Sequence, residues 1–267
     1  MSAVEAPWRH WSGRRLLQWL VSVTLLGLIL GWSFAVISAG TIWDFVLDAP
    51  EQARNLFARM IPPDLAFLRE LGRPVLETIH MATLGTLLAL LLAVPLAFAA
   101  AENTTPRVPG LRWLALLLIV TSRSVNSLIW ALLLVLILGP GVVAGIIAIA
   151  LRSVGFIGKL LYEAIEESAP LSLEAMRSCG ASPMQVRVYA VWPNVLPAFV
   201  GIAVYRWDIN IREASILGLV GAGGIGLALI SAIDTLAWGR VGTIFLVILA
   251  TVIASEWLSA RVRARVT

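Results

Sequence analysis

Six runs of apolar residues, each about 20 long, set the terms for this chain, because about 20 helical residues at 1.5 Å per residue cross about 30 Å of hydrocarbon. They are Leu16 to Ala39, Val75 to Ala101, Leu111 to Leu138, Gly141 to Leu161, Pro193 to Ile211 and Val241 to Leu258. A soluble fold of 267 residues cannot hide so much apolar surface, and a composition of 59% hydrophobic against 13% charged residues points the same way. The sequence therefore predicts an all-α, polytopic membrane protein of about six transmembrane helices. The first run follows Arg14 and Arg15 as a secretory signal would. Its apolar stretch exceeds the usual length of about 7–15 residues and lacks a convincing cleavage site, so it reads as a retained helix.

Charge predicts orientation. With the N-terminus in the cytoplasm, Arg9, Arg14, Arg15, Arg107, Arg112, Lys159, Arg177, Arg187, Arg261, Arg263 and Arg265 fall on the inner side. Only Arg54, Arg59, Arg69, Arg73 and Arg240 fall outside, so the positive-inside rule puts both termini in the cytoplasm. Trp43, Trp113, Trp192, Trp238 and Trp257 fall at predicted helix ends, where an amphipathic ring prefers the headgroup level. The single cysteine, Cys179, excludes an internal disulfide, and the two histidines, His10 and His80, are far apart, so no metal site is expected. No His-Glu-x-x-His, Gly-x-Ser-x-Gly or paired histidine ligands occur, and no catalytic residue is assigned.

Four arginines remain within or beside apolar runs: Arg123, Arg152, Arg206 and Arg212. An arginine at the bilayer centre costs about 2.5–3.5 kcal/mol on insertion scales, so it faces either protein or a wet cavity. Arg152 follows Gly141 by eleven residues, about 16 Å into its helix and too deep to snorkel easily. In the fifth helix Asp208 and Arg212 are spaced to pair at i,i+4, whereas Arg206, Asn210 and Glu213 share another face. Helix-to-helix pairing and a charged translocation pathway are both open to these residues. The third run is interrupted by Thr121-Ser-Arg-Ser-Val-Asn-Ser127, and polar groups such as Ser124 and Asn126 at that depth suit either helix packing or a substrate site in a broken helix.

Between the first two spans, Leu56, Phe57, Met60 and Ile61 alternate with Arg54 and Arg59 as in an amphipathic surface helix ended by Pro62 and Pro63. It reads as a connector or as a rim for a soluble partner. The long inner loop, 162–192, carries signals for two short helices. Leu171 to Cys179 has helical composition, and Gly180 is placed as a left-handed C-terminal cap. Ser182, Pro183 and Gln185 then supply an N-cap, a first-turn proline and a capping-box partner.

Glu174, Ala175, Gly180 and Pro193 stand at the spacing of the EAA signature, and in this the chain resembles permeases of binding-protein-dependent ABC importers. Met176, Ala190 and Trp192 depart from the usual residues. The similarity extends over roughly Val75 to Val262. Within it, the stretches from Arg206 to Arg212 and from Leu219 to Gly226 are similar to phosphonate and related phosphorus-oxyanion permeases; the second also resembles methionine importers.

The resemblance implies a type I importer permease fold in a bacterial inner membrane, with residues 1–74 as an N-terminal helix plus outer segment and 75–267 as the permease core. It implies a second copy of the chain, two ATPase subunits and a periplasmic or lipid-anchored solute-binding protein, and no nucleic acid. Glu174, Ala175, Gly180, Ala181, Ser182 and Pro193 would then couple to the ATPase, with ATP and magnesium on that partner and no cofactor on this chain. Arg123, Ser124, Asn126, Arg152, Arg206, Asn210 and Glu213 would line the pathway. A permease for another small solute, such as methionine, and a passive channel subunit are the competing functions; a passive channel would not need the coupling loop.

Gly221, Gly223 and Gly226 formally match a dinucleotide-binding fingerprint, but no strand precedes them and Asp234 arrives too early for the ribose-binding acid. With Gly224 they read as a flexible or re-entrant segment before the last helix. Gly158-Lys159 lacks the upstream glycine of a P-loop.

Overall fold

The computed structural model describes residues 13–105, 108–168 and 170–266; Arg9, His10 and Arg107 lie outside the described residues. Those residues form helices and turns, with no strand among them. The chain divides into two units, Met1–Leu56 and Phe57–Thr267.

The first unit contains α1, Gly13–Gly40, of which no residue is buried. A helix apolar around its whole circumference suits lipid on every side. Thr41 closes it, donating its hydroxyl to Ile37 O at 2.7 Å, and Trp43 Nε1 donates to Ser38 Oγ at 3.2 Å. The amphipathic helix α2, Trp43–Met60, begins in this unit and ends in the second.

In the second unit, a 3-10 turn at Leu65–Phe67 leads into α3, Leu68–Ala100, which packs along α6, Val142–Glu166. Ala82, Ala89, Ala93 and Ala97 of α3 and Ala148 of α6 are fully buried. At Gly85 an added methyl would fall 2.8 Å from Ile149 Cγ2. Lipid provides no hydrophobic drive between helices, so small residues bring the backbones close enough for dispersion to hold the pair. The opposite faces expose Leu84, Leu91, Leu117, Leu136 and Leu249.

The third apolar run is not one straight helix. It forms α4, Leu111–Ser124, and α5, Ser127–Leu138, bent by 89° at the break. Val125 and Asn126 are extended, which ends the first helix, and the Asn126 side chain accepts the Leu128 N–H at 3.1 Å to start the second. Such an N-cap stabilises a helix by about 1 kcal/mol. The polar interruption read in the sequence is this corner. With the bent pair counted as one, six spans among the described residues are long and apolar enough to cross a membrane.

Several boundaries differ from the sequence reading; among them, α3 starts at Leu68 and the helix of the fifth run continues to Leu217. Residues 162–166 continue α6 instead of opening the loop, because Leu161 and Ile165 are buried and Lys159 pairs with Glu163 at 3.4 Å one turn away. Trp257 lies inside α11, Trp238–Val266, which outruns its apolar stretch. The second loop helix is only the turn α8, Pro183–Gln185, followed by a π-helical segment, Val186–Val191, that runs directly into α9, Trp192–Leu217. Trp192 N–H bonds to Arg187 O in the wider register. Pro193 lacks the N–H that an α-helical register would have offered to Tyr189, which favours that widening.

Candidate functional site

Two regions carry the polar chemistry of the second unit: a capped hairpin and a pair of arginines, one buried and one partly buried. The hairpin joins α7, Pro170–Ser178, to α8. Gly180 has φ +75°, and its N–H and that of Ala181 bond back to Arg177 O at 3.0 Å and Met176 O at 3.2 Å. This double closure is the Schellman arrangement, in which glycine takes the left-handed position at least cost. Ser182 and Gln185 form the reciprocal capping box foreseen from the sequence. Glu174 and Ala175 are exposed on α7, and Pro193 is exposed in the first turn of α9. The hairpin is tied to the turn after α3: Arg177 donates to Asn103 O at 3.2 Å and Arg187 to Thr104 O at 2.8 Å. That turn is tied in its own right to the end of α6, since Asn103 Nδ2 donates to Ile165 O and the Glu102 N–H donates to Glu166 Oε1.

The arginine pair lies where α5, α6 and α9 meet. Arg152 of α6 and Arg206 of α9 donate to the same oxygen, Glu213 Oε1, at 2.8 and 3.2 Å. Arg206 is only 5% exposed. Its Nε donates to Ser153 Oγ, Ser153 donates to Asn210 Oδ1, and Asn210 Nδ2 donates to Thr86 Oγ1 of α3. Arg152 also donates to Ser127 Oγ, the first residue of α5, so the corner in the third span delivers a hydroxyl to the pair. Both guanidinium groups stand over the Phe156 ring, 5.5 and 4.7 Å from its centroid, a placement that attracts a cation to the ring face.

The other predicted pathway residues sit at the corner, where Asn126 Oδ1 accepts from Ser127 Oγ at 3.4 Å and so borders the network. Ser124 bonds back to Val120 O, Asn126 caps α5, and Arg123 pairs with no carboxylate among the described residues. Their helix is fixed nonetheless. A methyl at Gly155 would fall 2.5 Å from Ile119 O and 2.7 Å from Arg123 N, so α4 rests directly on α6. Arg212 pairs with Asp208, as its spacing suggests, and Asp208 also accepts from Ser255 Oγ of α11 at 2.7 Å. Of the network partners, Ser127 closes the polar interruption seen in the sequence, whereas Thr86, Ser153 and Phe156 carry no local sequence signal.

The glycine segment consists of a 3-10 turn, Gly218–Val220, a loop, and α10, Gly224–Asp234. Gly221, Gly223 and Gly224 have positive φ, and a methyl at Gly226 would collide with the Ser215 carbonyl. Side chains of α3 cap α10: Thr78 Oγ1 accepts the Ile225 N–H at 2.9 Å and Glu77 Oε2 the Gly224 N–H at 3.4 Å. Gly141 N–H, before α6, reaches Gly221 O at 3.0 Å.

Residues 76–267 match the model of a family described as the inner membrane component of binding-protein-dependent transport systems. The chain is 37% identical over 236 residues to the phosphite transport system permease protein PtxC of Stutzerimonas stutzeri, covering 88% of this chain and 84% of that protein. It is 41% identical over 232 residues to the phosphate-import permease protein PhnE of Mycolicibacterium smegmatis, covering 85% of this chain but 43% of that longer protein. Among solved structures, an inward-facing MetNI methionine ABC transporter superposes with a TM-score of 0.65 at 22% identity, covering 76% of this chain and 99% of that one, a likeness of fold alone.

Proposed function

The chain belongs to the family of inner membrane components of binding-protein-dependent transport systems, and from that premise we propose that it is the permease of an ATP-driven importer for phosphite, phosphonate or a related phosphorus oxyanion. Two copies of the chain form the pathway, with both termini in the cytoplasm. A soluble or lipid-anchored binding protein delivers the anion at the outer face. Two ATPase subunits carry ATP and magnesium.

The observation that supports an anionic cargo is the pair of arginines, Arg152 and Arg206, sharing one carboxylate inside the spans. Two guanidinium groups against one acid leave a positive site, which a transported anion needs, while the carboxylate and hydroxyls keep binding weak enough for release. The names of the two relatives point to the same chemistry.

Coupling follows from the hairpin's bonding. With both helix ends at its turn capped, it moves as one body, and Arg177 and Arg187 pull on the turn after α3. That turn holds the end of α6, the helix that carries Arg152 and Ser153. Closure of the ATPase on the hairpin thereby shifts the arginine pair relative to α5 and alternates access.

Co-purification followed by reconstitution tests this reading. The chain brings down an ATPase subunit, and vesicles containing both with the binding protein accumulate labelled phosphite only with ATP. Accumulation of methionine instead, or uptake indifferent to ATP, rejects it.

A further inference from the structure

Glu213 holds one oxygen between two guanidinium groups and leaves the other idle. Oε1 takes both arginine hydrogen bonds, whereas Oε2 accepts none among the described residues, and Arg152 Nε likewise has no acceptor there. The nearest other acid on α9, Asp208, is engaged by Arg212 and Ser255. One positive charge is therefore left unbalanced at the site.

Both arginines are also held by groups other than the carboxylate. Ser127 takes one nitrogen of Arg152, Ser153 takes Arg206 Nε, and Phe156 underlies both. Withdrawal of Glu213 would leave the pair in place. A cleft of about 110 Å3 reaches Arg206 between Phe156, Leu160, Tyr205 and Ile209, and the side chain of Arg152 is 23% exposed, so the pair is reachable.

We infer that Arg152 and Arg206 form an oxyanion-binding site that Glu213 of the same chain fills in this conformation, and that the incoming anion binds by displacing this carboxylate. The ligand class, a small tetrahedral oxyanion, rests on the proposed cargo; the displacement rests on the geometry. A carboxylate meets the two guanidinium groups with a single oxygen. A tetrahedral oxyanion has three or four and can meet both forks at once, the pairing that favours arginine at such sites. Self-occupancy limits the cost of two bare cations within the spans while the site is empty, and it gives the anion a competitor that speeds its departure.

The test is equilibrium binding of labelled inorganic phosphite and phosphate, with sulfate in parallel, to the purified full chain in lipid nanodiscs. Glu213→Gln removes the competing charge, and it binds phosphite about tenfold or more tightly than the unmodified chain, a change equal to about 1.4 kcal/mol. Arg206→Gln added to that variant abolishes the gain. Affinity unchanged or weakened in a folded Glu213→Gln protein overturns the inference. If that variant does not fold, Arg152→Gln decides instead: one guanidinium against one carboxylate binds about tenfold more weakly, and unchanged affinity overturns the inference. Sulfate tightened by Glu213→Gln while no phosphorus oxyanion binds leaves the displacement standing and rejects the proposed cargo. ATP-dependent phosphite uptake with no effect of Glu213→Gln on affinity rejects the displacement and leaves the cargo.

Discussion

Arg152 and Arg206, 54 residues apart in sequence, end on the same Glu213 oxygen, at 2.8 and 3.2 Å. The bond from Arg152 ties α6 to α9, and Arg206 adds a tie to α6 through Ser153. A change in the spacing of these helices must therefore redistribute hydrogen bonds at one carboxylate. This gives the site a part in stability and, under the proposed function, in transport.

The hairpin predicts a separation of coupling from folding. Gly180 has open space where a Cβ would stand, so the penalty of Gly180→Val lies in its φ of +75° alone. The left-handed conformation costs an L-residue about 1–2 kcal/mol, and a β-branched one more. Binding-protein-stimulated ATPase activity falls in this variant while membrane insertion is kept. Equal stimulation in Gly180→Val and the unmodified chain contradicts the coupling role proposed for this turn.

The corner of the third span depends on Gly155. Gly155→Leu must push α4 off α6, because even a first methyl would meet the Ile119 carbonyl at 2.5 Å. Overpacking of this kind costs about 1–3 kcal/mol or more. A thermal melt of the purified chain in detergent shows a lowered midpoint, and an unchanged midpoint shows that the helices separate freely there.

Arg212→Gln acts on stability. Its partner Asp208 is buried and keeps only Ser255, but the Arg212 side chain is 43% exposed, so solvent screens part of the pair. The loss is about 1–2 kcal/mol, below the about 3–5 kcal/mol typical of breaking a fully buried pair. Detergent-extracted yield drops while uptake per extracted molecule is retained. A drop confined to uptake would move Arg212 into the pathway.

Thr78→Val removes the hydroxyl that accepts the Ile225 N–H at the start of α10. The lost cap costs about 1 kcal/mol and loosens the glycine segment. Hydrogen exchange at Ile225 to Leu227 speeds up, while exchange in α6 does not change. Unaltered exchange at Ile225 shows that the cap contributes nothing there.

The sequence exposes what depends on short spacing. The six apolar runs, the polar corner at residues 121–127, the Gly180 cap, the Ser182 box and the Asp208–Arg212 pair each lie within a turn or a span, and each is found in the structure. The face shared by Arg206, Asn210 and Glu213 was visible for the same reason. What joins distant segments was not. Arg152 meets Glu213 across 61 residues, and Thr78 meets Ile225 across 147. No periodicity encodes such pairs, because any hydroxyl or acid at a compatible depth could have served. The π-helical register before Pro193 has no sequence signature either, since a proline signals a missing donor but not how the helix accommodates it.

The most direct measurement is ATP-dependent uptake of labelled phosphite into vesicles that hold equal amounts of the unmodified chain, Arg206→Gln or Arg123→Gln, with the ATPase and binding protein. Arg206 is held in the shared-carboxylate site, and Arg123 stands at the corner with no acidic partner among the described residues. An arginine-lined anion pathway predicts that uptake falls by about tenfold or more in both, the consequence of losing about 1.4 kcal/mol of charge stabilisation along the route. Normal uptake in both variants would contradict it.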